Sequence, residues 1–210
     1  MHRDIGGVGH PCKRTRGDAT AGLIPARALR LKTAMYPFLR MTLVIRSEAR
    51  KPPLGIFDTH ERSMLCLPFD ADMFWEMNNG RILTFYDLGR IGLAQRTGLM
   101  RVLKARGWGL VVAGSSVRYR ARIRPFQRFD LRTRLLGWDA RFIYLEQAMW
   151  RGDTACNHAL LRTGVTERGK LVATDRVAEA MGLSEASPPL PDWVTRWIDA
   201  DTARPWPPGV

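Results

Sequence analysis

The sequence lacks the residues and motifs on which the commonest hydrolases and metal sites depend. Among its 210 residues there are three cysteines and four histidines, with no Cys-x-x-Cys pair and no ligand spacing among the histidines. This pattern is typical of neither a zinc framework nor a secreted disulfide scaffold. The motifs G-x-S-x-G, the Walker loop and H-E-x-x-H are also missing. We therefore expect no metal and no cofactor, and reduced thiols that fit a cytoplasmic protein.

Long apolar runs are also missing. The longest near the start, Ala34 to Ile45, is interrupted by Pro37 and Arg40. It falls short of the roughly 20 residues that a membrane-spanning helix needs. The segment could lie on a membrane surface, but we expect no transmembrane segment.

Acidic residues are scarce relative to basic ones. There are 33 Lys and Arg against 20 Asp and Glu, a formal net charge of +13. Residues 1–56 hold a net +8 of this excess, and residues 57–210 hold +5. Residues 1–34 are predicted to be a basic extension: a disordered arm, a transit-like peptide or a product of too early a start codon. Because the body is only mildly basic, nucleic acid is not the expected partner.

The hydrophobic pattern of the remaining chain predicts an α+β domain over residues 35–170. Short apolar runs separated by turn-like breaks predict one strand at 63–68 and four long antiparallel strands, at 108–123, 129–138, 142–150 and 154–165. The breaks are short, so we expect consecutive strands to be hairpin neighbours. Residues 171–210 are predicted to be a helical and Pro-rich tail that packs through Trp193 and Trp197.

One helix, from about Gly80 to Thr97, is apolar on almost every side. A helix of this kind belongs inside a protein, and the concave face of the curved sheet is the place available to it. Gly89 and Gly92, three residues apart, would allow another backbone to approach closely. A short second helix is expected to end at Gly107.

The densest polar cluster precedes the buried helix. The run D-A-D-M-F-W-E-M-N-N-G-R-I-L-T-F-Y-D-L-G-R, residues 70–90, resembles the hotdog-fold thioesterase signature D-x-D-x-x-x-H-x-N-N-x-x-Y-x-x-x-x-[ED]. This signature is found in 4-hydroxybenzoyl-CoA thioesterase-like proteins, and the similarity is closest to the THEM-like branch. It extends from about Met35 to Val165. Glu76 stands where the family usually has His, and Ile82 where it has Tyr.

The resemblance implies a hotdog fold, an antiparallel sheet of about five strands around one long helix, and an acyl-CoA thioesterase activity. It places Asp72 as general base or nucleophile, and Asn79 and Gly80 as amides that bind the oxyanion at the helix N-terminus. We expect Phe74 and Trp75 to enclose Asp72. Glu76 either shares a proton with Asp72 or faces solvent.

The same family draws some catalytic carboxylates from the helix, which makes Asp87 a second candidate, although Arg90 could pair with it locally. Asp70 is expected to belong to a solvated, Asn-capped connection. Because hotdog sites usually lie between protomers, the resemblance also implies a homodimer or homotetramer.

Arginines alternate with apolar residues from Arg118 to Arg124. Alternation at every second position predicts one strand face that carries Arg118, Arg120, Arg122 and Arg124. These guanidinium groups suit the phosphates of coenzyme A, so they and Asn78 are the predicted substrate-binding residues. A solvated face that discourages aggregation explains the pattern equally well. The function predicted is hydrolysis of an acyl-CoA or acyl-carrier thioester; the alternative is a non-catalytic protein that binds acyl-CoA or lipid.

Overall fold

A curled antiparallel sheet is the main element of the protein. The computed structural model describes residues 38–184 and 186–209; the predicted extension at 1–34 lies outside them. The strands run in the order β1-β3-β4-β5-β2, and β6 adds a short pairing with β5. Their bounds are β1 His60–Leu65, β2 Gly109–Tyr119, β3 Arg128–Trp138, β4 Ile143–Arg151, β5 Thr154–Glu167 and β6 Lys170–Leu171.

Five α-helices accompany the sheet in the described part of the chain. They are α1 Phe38–Glu48, α2 Asn79–Arg96, α3 Leu99–Arg106, α4 Thr174–Met181 and α5 Asp192–Ala203, and a 3-10 turn covers Pro68–Asp70. The sequence predicted α2 and α3, and it predicted a helical tail where α4 and α5 lie. It did not predict α1, whose apolar run contains a proline and an arginine. The α+β architecture is confirmed.

The long helix α2 packs on the inner face of the sheet, as its apolar composition predicted. Phe85 lies edge-on to Phe129 of β3, with ring centroids 5.1 Å apart. The prediction that another backbone approaches Gly89 and Gly92 is wrong: side chains occupy the space beside both glycines. A Cβ on Gly89 would lie 2.5 Å from Thr133 Oγ1, and one on Gly92 would lie 2.5 Å from the His60 ring.

Strand pairing differs from the prediction at β2. The hairpins β3–β4 and β4–β5 are confirmed. Strand β2, however, lies at the edge of the sheet beside β5 and pairs with β5 instead of β3. The turn at 124–127 does not join β2 to β3 as a hairpin, because its backbone pairs with Cys66: Phe126 N–H donates to Cys66 O, and Gln127 O accepts from Cys66 N–H. The turn therefore joins the end of β1, and β2 is left as an edge strand.

The C-terminal helix α5 packs on the outer face of the sheet. Val194 is buried there against Tyr144 and Leu160, with Trp197 beside them. Trp193 lies near the His158 ring, with centroids 5.5 Å apart. The predicted packing of the tail through its tryptophans is confirmed.

Candidate functional site

The loop between β1 and α2 is a small hairpin. Asp72 N–H donates to Glu76 O at 2.9 Å, and Asn78 N–H donates to Asp70 O at 2.9 Å. An isolated β-bridge joins Ala71 and Met77. This pairing holds the whole polar cluster against the first turn of α2.

Asp70 is buried, so its assignment to a solvated connection is wrong. Its carboxylate lies 2.9 Å from Arg40 of α1 and 3.4 Å from Arg81 of α2. It also accepts a hydrogen bond from Leu67 N–H at 2.9 Å. Two guanidinium groups and a backbone amide compensate the loss of water around a buried carboxylate. Asp70 therefore ties α1, the loop and α2 together.

Asp72 lies at the turn of the loop hairpin and is half-buried. One oxygen, Oδ1, accepts a hydrogen bond from Phe74 N–H at 2.8 Å, while Oδ2 has no partner among the described residues. The expected enclosure by aromatic side chains is wrong for the single chain, because Phe74 is 72% exposed and Trp75 is 64% exposed. Trp75 also has a positive φ of 55°, which fixes the sharp turn.

Glu76 forms an ion pair with Arg122. Its carboxylate oxygen lies 2.8 Å from Arg122 Nε, and Glu76 is half-buried while Arg122 is exposed. This contact links the loop hairpin to the segment that follows β2. Glu76, predicted to be catalytic, is therefore paired with Arg122, predicted to bind substrate.

The first turn of α2 is capped by Asn78. Its side-chain Oδ1 accepts a hydrogen bond from Gly80 N–H at 2.8 Å, as an N-cap residue does. The Gly80 amide is therefore engaged, contrary to its expected availability for an oxyanion. The Asn79 amide has no acceptor within the described residues, and Asn79 is exposed. Asn79 is the candidate oxyanion donor that remains.

The arginines after β2 do not share one strand face. Only Arg118 lies within β2, which ends at Tyr119, so the prediction of a four-arginine strand face is wrong. Arg120 N–H and Ala121 N–H both donate to Cys156 O, which ends the regular ladder. Arg118, Arg120, Arg122 and Arg124 are all exposed. They remain a basic surface near the loop hairpin.

Asp87 lies further along α2 and pairs with Arg90. Burial raises the pKa of Asp87, and the Arg90 guanidinium opposes that rise. Arg90 in turn donates to Gln147 Oε1 at 2.9 Å. The fully buried Gln147 amide donates to Thr133 Oγ1 at 2.8 Å and to Tyr86 O at 2.9 Å. A chain of hydrogen bonds through two strands therefore positions the Asp87–Arg90 pair.

Asp87 and Arg90 lie at the wall of a large apolar cavity. The cavity has a volume of about 960 Å³ and is lined mainly by apolar side chains of α2, α3, α4 and strands β2 to β4. Its size is in the range of small-molecule sites. Asp72, Glu76 and the first turn of α2 do not line it.

One face of α2 connects the two regions. Residues spaced by three or four positions lie on one side of a helix. On α2 and its C-cap residue this side carries Asn79, Leu83, Asp87, Arg90, Ala94 and Thr97; we call it the open face. Asn79 and Leu83 are exposed, and the last four residues line the cavity. The open face therefore runs from the candidate oxyanion donor into the cavity.

Two contributions to the site were missed in the sequence. Gln147 lies at an inward-facing position of β4 between Leu145 and Met149, so a polar residue in a buried alternation was the available signal. Helix α4 lines the cavity with Thr174, Val177, Ala178 and Met181. Nothing in its sequence distinguishes it from a helix that only packs.

Three further observations concern the described residues. They contain no group of His, Cys, Asp and Glu that could hold a metal ion. None of the helices at 38–184 and 186–209 is long and apolar enough to cross a bilayer. Cys66 and Cys156 are buried free thiols, and burial raises the pKa of Cys66 to about 11. A thiol in this state is a poor nucleophile, as expected.

Comparison with known proteins finds relatives along most of the chain. The model of the thioesterase-like superfamily matches residues 66–198. Protein THEM6 of Xenopus laevis is 31% identical over 168 residues, which cover 78% of this chain and 79% of that protein. Protein THEM6 of Drosophila melanogaster is 40% identical over 93 residues, 44% of this chain and 48% of that protein.

Solved structures share the fold. The probable thioesterase YbaW of Escherichia coli superposes with a TM-score of 0.54 at 16% identity, covering 58% of this chain and 95% of that one. A probable thioesterase of Bartonella henselae gives a TM-score of 0.52 at 17% identity, covering 55% and 98%. At such identities the likeness concerns the fold, and the expected hotdog fold is confirmed.

Proposed function

Because the chain belongs to the thioesterase-like superfamily, we propose that it hydrolyses acyl thioesters of coenzyme A or of an acyl carrier. The observation that carries this proposal is the start of α2. There the Asp72 carboxylate lies in the loop hairpin just before Asn79, and within residues 38–184 and 186–209 neither its Oδ2 nor the Asn79 amide has a hydrogen-bond partner. A carboxylate and an oxyanion donor are the two groups that hydrolysis of a thioester needs.

Asp72 supplies the base or the nucleophile. As a base it takes a proton from water, whose oxygen then attacks the thioester carbonyl carbon; as a nucleophile it attacks that carbon itself. The carbonyl oxygen becomes an oxyanion, which the Asn79 amide and the positive end of the α2 dipole stabilise. Collapse of this intermediate breaks the C–S bond, and the leaving thiolate takes up a proton. On the nucleophilic route, Asp72 and the acyl group form an anhydride as the thiolate leaves, and one water then hydrolyses this anhydride.

The charged residues around the loop have distinct roles in this scheme. Exposed Arg118 and Arg120 contact the phosphates of the carrier, for which guanidinium groups are well suited. Arg122 holds Glu76 at 2.8 Å and thereby braces the loop hairpin. Glu76 then serves to position the loop that carries Asp72.

Asp87 is the rival carboxylate. It lies at the cavity wall with its pKa raised by burial, a property that favours a general base. However, the Asp87 carboxylate already forms a close ion pair with the Arg90 guanidinium. We assign it to orienting the substrate at the cavity entrance.

A homodimer completes the site. Strand β2 is an edge strand that presents Leu110, Val111 and Val112 at 42–49% exposure, and Phe74 and Trp75 are exposed beside Asp72. Unpaired edges and apolar surface favour pairing with another chain. Light scattering is expected to give at least twice the chain mass of 23.8 kDa; a monomer would contradict this. Cell fractionation would check the expected cytoplasmic location.

Release of free coenzyme A from a panel of acyl-CoA substrates, followed with a thiol reagent, tests the activity. The wild-type protein is expected to show saturable release, and Asp72→Ala to lose at least about 100-fold in kcat. Asp58→Ala, an exposed aspartate outside the site, is the control and retains activity. Equal release by wild type and Asp72→Ala would remove Asp72 from the mechanism.

The alternative is a protein that binds acyl-CoA without cleaving it. The specific observation in its favour is Glu76, which replaces the family's His and is engaged by Arg122. Saturable binding of acyl-CoA by the wild-type protein, with no thiol released over many hours, would establish this alternative.

A further inference from the structure

The position of the cavity relative to the start of α2 carries information about the substrate. The open face of α2 begins at Asn79 and enters the cavity at Asp87. At about 1.5 Å of rise per residue, Asp87 lies about 12 Å from Asn79 along the helix, and Thr97 lies about 15 Å beyond Asp87. The cavity therefore starts well away from the candidate reaction centre.

An acyl group matches this distance only if its chain is long. With C–C bonds of about 1.5 Å and tetrahedral angles, an extended saturated chain advances about 1.25 Å per carbon. About 10 carbons bring it from Asn79 to the cavity entrance, and about 12 more would reach Thr97. Short acyl groups and single aromatic rings attached at the start of α2 end before the cavity.

The walls of the cavity also suit an aliphatic chain. Its interior is formed by the buried side chains of Leu93, Leu103, Leu135, Leu145 and Val177. Its volume of about 960 Å³ exceeds that of such a chain, since each carbon with its hydrogens occupies roughly the 30 Å³ of a water molecule. Burial of each added methylene is then favourable.

Helix α4 lines the cavity on the side of α3, beyond the C-terminal end of α2. It packs with α3, which directly follows α2, in a cluster that contains Leu103 and Val177. Its Ala178 side chain lines the cavity and is small, and Leu183 lines it just after the helix. A larger side chain at position 178 would shorten the cavity from this end.

We infer that the substrate of this site is a long-chain acyl thioester, whose chain lies along the open face of α2 and ends against α4. This inference rests on the proposed function, because it places the thioester at the start of α2. The inference adds that α4, a segment C-terminal to the predicted hotdog domain, limits the length of acyl chain that the cavity accepts.

Binding of S-alkyl-CoA thioethers, which cannot be hydrolysed, tests this inference apart from catalysis. Isothermal titration with alkyl chains of about 4 to 26 carbons, which extends past the far end of the cavity, is expected to show nearly constant affinity up to about 10 carbons. Beyond that length the affinity should rise by up to about fourfold per methylene, because each further methylene enters the cavity.

Two variants locate the end of the chain. Ala178→Phe is expected to stop the rise about 3 to 5 carbons earlier, since its ring fills the volume of about that many methylenes. Leu183→Ala, which enlarges the cavity and avoids any clash on folding, is expected to extend the rise to longer chains. Ala105→Phe on the exposed side of α3 is the matched control and leaves the profile unchanged.

The outcomes separate the two proposals. An affinity that does not depend on chain length, or a profile that neither variant at α4 changes, would overturn the inference even if short acyl-CoA substrates were hydrolysed. A profile that rises beyond about 10 carbons and responds to α4 supports the inference. It does so even if the matching thioesters are not cleaved, in which case the proposed hydrolysis fails alone.

Discussion

The Asn78 side chain accepts a hydrogen bond from the Gly80 amide at 2.8 Å. This contact satisfies one of the amides that a helix N-terminus leaves without an intrahelical partner. It moves the candidate oxyanion donor from Gly80 to Asn79 and gives Asn78 a structural role at the site.

Asn78→Ala is expected to lower the free energy of unfolding by about 1 kcal/mol, because the cap of α2 is lost. Urea denaturation of the purified protein measures this change. Asn79→Ala is the matched control, and its effect should stay within about 0.5 kcal/mol, since the Asn79 side chain is exposed. Equal effects of the two variants would show that Asn78 does not cap the helix.

Asp70→Asn is expected to be far more destabilising, by about 3 kcal/mol or more. The substitution leaves Arg40 and Arg81 without their shared buried carboxylate. Glu61→Gln removes an exposed ion pair with Arg132, 3.2 Å long, and should cost less than about 1 kcal/mol. Denaturation midpoints that match for these two variants would argue against Asp70 as the link between α1 and α2.

Glu48 predicts a pH dependence of stability. Burial alone would raise the pKa of Glu48, but hydrogen bonds from Lys51 and Arg62 and the nearby His60 hold it below its usual range. The unfolded chain therefore binds this proton more tightly than the folded chain does. The stabilisation is fully present above about pH 5 and is lost as the pH falls through the lowered pKa.

Glu48→Gln measures this contribution. The variant is expected to lose about 2 kcal/mol or more at neutral pH, and its difference from the wild type should shrink steadily below about pH 5. Glu179→Gln, at an exposed glutamate on α4, provides the baseline. A difference that stays constant between neutral and acidic pH would contradict the assignment.

Gly89→Ala should destabilise the protein, although alanine is the better helix former. A Cβ at this position would lie 2.5 Å from Thr133 Oγ1 and 2.8 Å from Gln147 Nε2. The clash is expected to cost about 1–3 kcal/mol, whereas the propensity gain at an open site would be about 1 kcal/mol. Thermal melts measure whether the variant is less or more stable than the wild type. A raised melting temperature would show that Thr133 of β3 and Gln147 of β4 leave room for a Cβ at position 89.

The sequence predicted the helices and strands better than it predicted which strands pair. Alternating and helical periods identified α2 and the four long strands because each depends on local pattern. The pairing of β2 with β5 depends on where the turn at 124–127 forms its hydrogen bonds, and the partner, Cys66, lies about 60 residues earlier. Local pattern carries no information about such a contact.

The site was predictable only in part, because local sequence identifies its segments but not their contacts in the fold. The signature located the loop and the helix start, but Asp70 and Asp72 stand two residues apart in one motif, and only the fold shows that Asp70 is the buried one. The cavity could not be read from any segment. Its walls come from helices α1 to α4 and strands β2 to β5, which meet only in the folded chain.

The turnover number of Asp72→Asn beside that of Asp87→Asn, measured with one long-chain acyl-CoA, tests the central claim most directly. The account predicts that Asp72→Asn loses at least about 100-fold in kcat. Asp87→Asn should mainly raise KM, because Asp87 orients the chain at the cavity entrance. Loss of kcat in Asp87→Asn with normal turnover in Asp72→Asn would contradict the account and place the reaction at the cavity wall.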